Sequence, residues 1–426
     1  MRIIEQLESE VRSYVRSFPA VFDTAQGALL WDEQGNEYID FFAGAGTLNY
    51  GHNPAEVNQA LIKYLQRNGI VHSLDKATVA KQAFLQTLYD TILAPRNLEY
   101  KVQFTGPTGT NAVETALKLA RMIKQRSNII AFTNGYHGLT MGALAATGNY
   151  FYQNESYGGR VNVAHLPFDG YLGNDINTID YLRKAIKDNG SGVDLPAAII
   201  VETIQGEGGI NVASNEWLQD LESLCREYDI LLIVDDIQVG NGRTGSFFSF
   251  EEAGIVPDIV CLSKAIGGGL PLALILMRPE LDQWQPGKHT GTFRGNNLAF
   301  VAATELLAAY WENEDLTDAV QYNARIIQEI LDNLVEKYPA LYMNYRGRGM
   351  VWGLEIPYPG LAQELSKKAF ENRLLVETCG SEGQVLKLLP PLIIEEYLLK
   401  QGLDILSQSV EALWQEKQAS LTGGPF

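Results

Sequence analysis

A chain of 426 residues, 46% of them hydrophobic and 20% charged, is long enough for a large core domain plus a smaller one, and its composition is that of a soluble globular protein. The formal net charge of −18 argues against nucleic acid or an anionic membrane as a partner, and no run of eighteen apolar residues offers a membrane span. Cys225, Cys261 and Cys379 lie far apart, fit no metal-ligand spacing and cannot form a full disulfide set, so no metal centre is expected and they read as small buried hydrophobes.

The start "MRIIEQLESEVRSY" alternates charged and apolar residues at helical spacing, unlike a signal peptide, which points to the cytoplasm. A turn-bounded strand pair, "ALLWDEQGNEYID", and a glycine-rich bend, "FFAGAGTLNYGHNP", follow. Residues 1–70 hold too little apolar mass to stand alone and are expected to pack with the small domain. From about residue 100, short β-rich runs alternate with amphipathic helical stretches, the mark of βα units and a mostly parallel sheet. The predicted strands are 101–105, 128–133, 197–202, 230–236, 258–263 and 272–277, with helices over 111–125 and 215–229. A long amphipathic helix around 299–336, a strand in "GMVWGLEI" and closing helices then read as a smaller α+β domain. The expected division is a large domain over 71–315 and a small one over 316–426.

In an open parallel sheet, ligands sit beyond the carboxyl ends of the strands. Glu202, Asp235, Asp236 and Lys264 all stand at such ends, and "VQFT" leads into the small residues of "GPTGTN" before a helix. That loop can offer backbone amides to a phosphate, or it is an ordinary turn capped by Thr108 or Thr110. Asp235 is either a structural carboxylate or the partner of a protonated ring nitrogen. Lys264, one charge in the apolar and small run "LSKAIGGGLPLALIL", becomes intelligible if its amine bonds the aldehyde of pyridoxal 5'-phosphate. The adjacent glycines 267–269 would leave room for the cofactor ring.

In this order the motifs "TGPTGTNAVETALKLAR", "GYHG", "ETIQGEGG", "VDDIQVGNGRTG" and "LSKAIGGGLPLA" resemble those of the class III aminotransferases, the ornithine and ω-amino acid group. The resemblance covers nearly the whole chain. It implies an α/β fold-type I architecture, a mostly parallel seven-stranded sheet plus a smaller α+β domain, and at least a homodimer. By that resemblance Lys264 bonds the cofactor and moves the proton, while Asp235 keeps the ring nitrogen protonated. Gly109 and Thr110 hold the phosphate with Thr292 from the neighbouring subunit. Tyr136 stacks on the ring, Ile237 packs opposite, Gln238 lies near the 3-hydroxyl, and His137 and Glu202 belong to the same cofactor set. His137, His52 and Arg243 are expected to pack or hydrogen-bond rather than to transfer protons.

Within the family, "LESEVRSYVRSFPAVFD", "FTGPTGTNAVE" and "GTFRGNNLAF" are similar to the branch of ectoine synthesis that aminates aspartate 4-semialdehyde with glutamate, giving 2,4-diaminobutyrate, a product that could equally feed a siderophore or a peptide antibiotic. Ornithine, 4-aminobutyrate or lysine would be the substrates of the neighbouring branches. A ligand-binding scaffold on the same fold would need neither Lys264 nor Asp235.

Two positions depart from the family pattern. Glutamate-using members commonly carry arginine after "YHG" and before "PPL"; here Leu139 and Lys387 stand instead. A lysine brings charge without the planar fork that grips a carboxylate. Glu207 matches the family's switching glutamate, so a Glu207–Lys387 pair is expected, and Arg294, two residues from Thr292, is a candidate for binding a substrate carboxylate.

Overall fold

The computed structural model describes residues 2–173 and 175–421. Its centre is a seven-stranded sheet running, edge to edge, Lys101–Phe104, Leu274–Met277, Ile259–Leu262, Leu231–Asp235, Ala198–Val201, Ile129–Phe132 and Val163–Leu166. Neighbours are parallel except Leu274–Met277, which runs antiparallel to both of its own. The inner strands read as unbroken aliphatic runs because both faces are covered. Ile130, Ile199, Leu232 and Val260 point into one apolar layer. Ile129, Ile200, Ile233 and Ile259 point into the other, beneath helix Gly109–Lys124, whose Ala112, Ala116 and Ala120 allow close approach.

The six strands expected from the sequence are all present within one or two residues at each end. The seventh, Val163–Leu166, escaped that reading because it is an edge strand, short, half-buried and interrupted by His165. The long helix expected over 299–336 is two helices, Asn297–Tyr310 and Asp315–Lys337. The break comes where Trp311 turns inward to donate from Nε1 to the Tyr50 hydroxyl (2.9 Å), and Asn313 Oδ1 accepts the Asp315 amide to start the second helix. All three cysteines are buried and free.

Near the amino end, Phe22–Gln26, Leu29–Asp32 and Glu37–Asp40 form an antiparallel meander, and the last pairs in parallel with Leu374–Leu375. Asp32 Oδ1 accepts the Gln34 and Asn36 amides and closes the hairpin turn. A second small sheet runs Asn344–Arg348, Val351–Glu355, Val385–Leu388, Glu377–Cys379. In it, Lys387 is registered against Gly353 on one side and Glu377 on the other. Among the described residues no helix is long and apolar enough to cross a membrane.

Candidate active site

The strand ends expected to converge do so, around a cavity of about 300 Å³ lined by Gly109, Thr110, Tyr136, His137, Leu139, Glu202, Glu207, Asp235, Ile237, Gln238 and Lys264. At one end lies the start of helix Gly109–Lys124. Thr108 occupies the capping position but does not cap; its hydroxyl donates to Asn111 Oδ1 (2.8 Å). The Gly109 and Thr110 amides, at the positive end of a 16-residue helix, are left without protein acceptors. That arrangement fits an anion. A glycine also suits position 109 because a Cβ there would press on Ile237 Cδ1 at 3.1 Å. The Thr110 hydroxyl lies 2.7 Å from that of Thr140, which donates to Glu114 Oε1 (2.6 Å).

At the floor, Asp235 is buried. His137 Nδ1 lies 2.8 Å from its Oδ2, and the Ile237 amide donates to its Oδ1 (3.3 Å). Burial opposes charging His137, yet the hydrogen bond and charge of Asp235, with Glu202 beyond, hold the imidazole above its ordinary pKa. Glu202 is pushed up to about 7 by burial and by the charge of Asp235; it accepts the Tyr136 amide (2.9 Å) and the Gly206 amide (3.2 Å), and so braces the turn that presents the Tyr136 ring.

Lys264 follows strand Ile259–Leu262 with φ at +52°, in the left-handed region that a side chain enters only at a cost of about 1–2 kcal/mol. Its Nζ makes no hydrogen bond or ion pair, and burial lowers its pKa against the opposing pull of Glu207. A free amine of reduced basicity fits a carbonyl partner. Glycines 267–269 do not line the cavity, so the room expected for the ring is not theirs to give; Gly268 and Gly269 turn the backbone at φ of +59° and +90°, and a Cβ on Gly268 would meet Leu306 Cδ1 of helix Asn297–Tyr310 at 2.5 Å.

Above the cavity, Glu207 Oε1 accepts from Lys387 Nζ (2.6 Å) and Gln238 Nε2 (3.0 Å). Gln238 Nε2 also donates to the Ala45 carbonyl (3.0 Å), while Gln238 Oε1 is buried without a partner. Ala45, like Ala43, has a left-handed backbone, strain stored in the glycine-rich bend to aim that carbonyl. Lys387 is wholly buried, and burial is outweighed by Glu207 and Glu377, which raise its pKa; Glu207, half-buried, is drawn down to about 2, chiefly by Lys387 and Lys264.

Thr292 and Arg294 are not brought to this cavity by their own chain. The Thr292 carbonyl accepts from His72 Nε2 (2.7 Å), Arg294 Nη1 donates to Thr290 (3.2 Å), and Phe293 between them is exposed. His52 pairs with Asp40 (2.7 Å) at its turn. Arg243 is fully buried, donating to the Met350 and Pro390 carbonyls and to Asn49. Glu377 was missed from the sequence. Only the antiparallel pairing of its strand with Val385–Leu388 sets it beside Lys387, and neither segment carries a motif that declares the partner.

A phosphate-sized anion site, a braced buried carboxylate and an unpaired, half-buried lysine, set at the strand ends of this sheet, are the parts that a pyridoxal phosphate enzyme of fold-type I requires. The class III aminotransferase family model matches residues 11–410, and the chain belongs to that family. It is 62% identical, over 99% of its length and 98% of the relative's, to the diaminobutyrate–2-oxoglutarate transaminase of Wolinella succinogenes. It is 55% identical to that of Bordetella parapertussis over 99% and 97% of the two chains. Among solved structures, the ornithine aminotransferase of Toxoplasma gondii, in a crystal form with pyridoxal phosphate at partial occupancy, superposes with a TM-score of 0.84 at 28% identity, over 98% and 95% of the chains. The protein is a pyridoxal phosphate-dependent aminotransferase.

Proposed function

We propose that this aminotransferase moves the amino group of L-glutamate to the aldehyde carbon of L-aspartate 4-semialdehyde, giving L-2,4-diaminobutyrate and 2-oxoglutarate. The end-to-end identity of 62% with the Wolinella succinogenes transaminase carries this reading. The Glu207–Lys387 pair supports it, because one cavity must accept a donor reacting beside its α-carboxylate and an acceptor reacting at the far end of its chain. A cytoplasmic location and supply of ectoine synthesis are the finer parts of the proposal and rest on the sequence.

When bound, pyridoxal phosphate supplies an aldehyde that carries the amino group and a ring that draws electrons from the reacting carbon. The chain does the rest. The Gly109 and Thr110 amides would hold the phosphate; Asp235, braced by His137 and the Ile237 amide, would keep a proton on the ring nitrogen. Tyr136 and Ile237 would take the two faces of the ring, Glu202 steadies the Tyr136 turn, and Gln238, with a buried oxygen left without a partner, would lie near the 3-hydroxyl. Lys264 Nζ, its pKa lowered by burial, is of reduced basicity and so more readily unprotonated, and would be placed to carry the proton between the substrate carbon and the cofactor. Thr292 and Arg294 would act across a homodimer interface, Thr292 on the phosphate and Arg294 on a substrate carboxylate, since neither lines the cavity of its own chain.

The test is 2-oxoglutarate formation by purified holoenzyme from glutamate and aspartate 4-semialdehyde, beside the reactions of ornithine, 4-aminobutyrate and lysine. Faster turnover of any of those three, with none of diaminobutyrate, overturns the substrate assignment.

A further inference from the structure

Lys387 faces two carboxylates, not one. Its Nζ lies 2.6 Å from Glu207 Oε1 and 3.0 Å from Glu377 Oε1, the second contact off the hydrogen-bonding direction. Exposure separates the two acids: the Lys387 side chain is 0% exposed, Glu377 5% and Glu207 22%. Glu207 therefore covers the lysine from the cavity, whereas Glu377 sits behind it, held in sheet register as its cross-strand partner. One acid can swing out into the cavity; the other has nowhere to go.

An arginine here would present several donors to a substrate carboxylate and to a counter-ion at once. A lysine has one compact charge to share. If an incoming α-carboxylate displaces Glu207, it meets an ammonium already half-neutralised from behind, and a second negative charge only a few ångströms further on. In a buried setting such like-charge proximity is costly. A substrate reacting at its ω-end leaves Glu207 in place and meets none of this. The Tyr14 phenol, its pKa raised by burial and by Glu377, lies against the same carboxyl group.

We propose that Glu377 is a specificity-determining residue that weakens the hold of Lys387 on an α-carboxylate and so biases the cavity toward substrates reacting at their ω-end. The proposal rests on the aminotransferase reading above and deepens it: Glu207 is the moving part of the switch, and Glu377 sets how far its displacement is opposed.

The experiment measures the two half-reactions of the holoenzyme separately by the cofactor's absorbance, with L-glutamate and with L-2,4-diaminobutyrate as donors, for wild type and Glu377→Gln. The amide keeps the shape and removes the charge, leaving Lys387 paired one-to-one with Glu207. Glutamate should bind about ten-fold more tightly, with its limiting rate little changed, while diaminobutyrate should change less than about two-fold. Glu377→Asp, which keeps the charge, should behave as wild type in this ratio and serves if the amide variant fails to load cofactor. Then a glutamate-to-diaminobutyrate affinity ratio altered by the aspartate as by loss of charge would count against the proposal. Equal losses with both donors, or weaker glutamate binding in Glu377→Gln, would make Glu377 a mere anchor for Lys387 and overturn it. Any α-amino acid that the wild type accepts can replace glutamate, so failure of the diaminobutyrate assignment shows as a silent second donor and leaves the first comparison intact.

Discussion

His137 Nδ1 lies 2.8 Å from Asp235 Oδ2, with both side chains almost wholly buried beneath the cavity. The imidazole is thus a brace for the carboxylate, which has only the Ile237 amide besides. Asp235→Asn should preserve the fold and lower the rate of the glutamate half-reaction by about 100- to 1,000-fold, because an amide cannot stabilise a positive ring nitrogen. His137→Ala should cost roughly ten- to hundred-fold, the worth of one hydrogen bond to a charged group. Single-turnover absorbance measures both; an unchanged rate in Asp235→Asn would reduce that residue to a structural strand-end carboxylate.

Lys264→Ala should abolish turnover while the protein still folds and retains pyridoxal phosphate through the Gly109 and Thr110 amides and the ring contacts. Retained cofactor should then be releasable by dialysis and should show no covalent label on borohydride treatment. Ordinary turnover in this variant would defeat the mechanism.

Asp236 faces away from the cavity, fully buried, with Oδ2 accepting the Ser249 amide (3.2 Å) and Oδ1 without a partner. Burial is the main cause that pushes its pKa up to about 7. Folded chains therefore keep this proton between about pH 4 and 7 while unfolded chains have lost it, so the folded state binds more protons and stability falls as pH rises through that window. Asp236→Asn should flatten the fall, by up to about 3 kcal/mol between pH 5 and 8. Urea unfolding of both proteins at the two pH values decides the point.

Arg294→Ala should reduce kcat/KM for the dicarboxylate by roughly thirty-fold, the cost of leaving a desolvated charge unpaired. Mixing inactive Lys264→Ala chains with Arg294→Ala chains should restore about a quarter of wild-type activity if Arg294 serves the opposite subunit's cavity, from random pairing with one intact site per mixed dimer. No recovery on mixing would return Arg294 to its own subunit or to the surface.

The cofactor side of this site was legible from the sequence because each contributor follows an aliphatic strand: Glu202, Asp235 and Lys264 all stand where a buried run ends, and a parallel sheet gathers such ends at one edge. The Glu207–Lys387 pair came from the family pattern, since Glu207 lies in a turn, Lys387 in a strand of the small sheet, and 180 positions separate them. Glu377 could not be read at all. Its place depends on which short strand pairs with which and in what register, and one residue of slip would have turned it to the opposite face. The split between Asn297–Tyr310 and Asp315–Lys337 was hidden for a similar reason, because helical periodicity runs on through Trp311 and only the distant Tyr50 hydroxyl explains why the chain leaves the helix there.

The reversed strand Leu274–Met277 has a consequence for assembly. Leu262 and Leu274 face one another across adjacent strands, so the segment carrying Lys264 is a local loop closed at both ends, tied further by the Ser263 hydroxyl donating to the Leu272 carbonyl (2.8 Å). Short loops close at little entropic cost and early, in contrast to the crossovers that build the rest of the sheet. The reactive amine's backbone geometry is consequently set by chain closure and not by a ligand. Newly made chains should present the amine in position before cofactor arrives, and loading should then proceed at the rate of encounter, without a slow rearrangement of the protein.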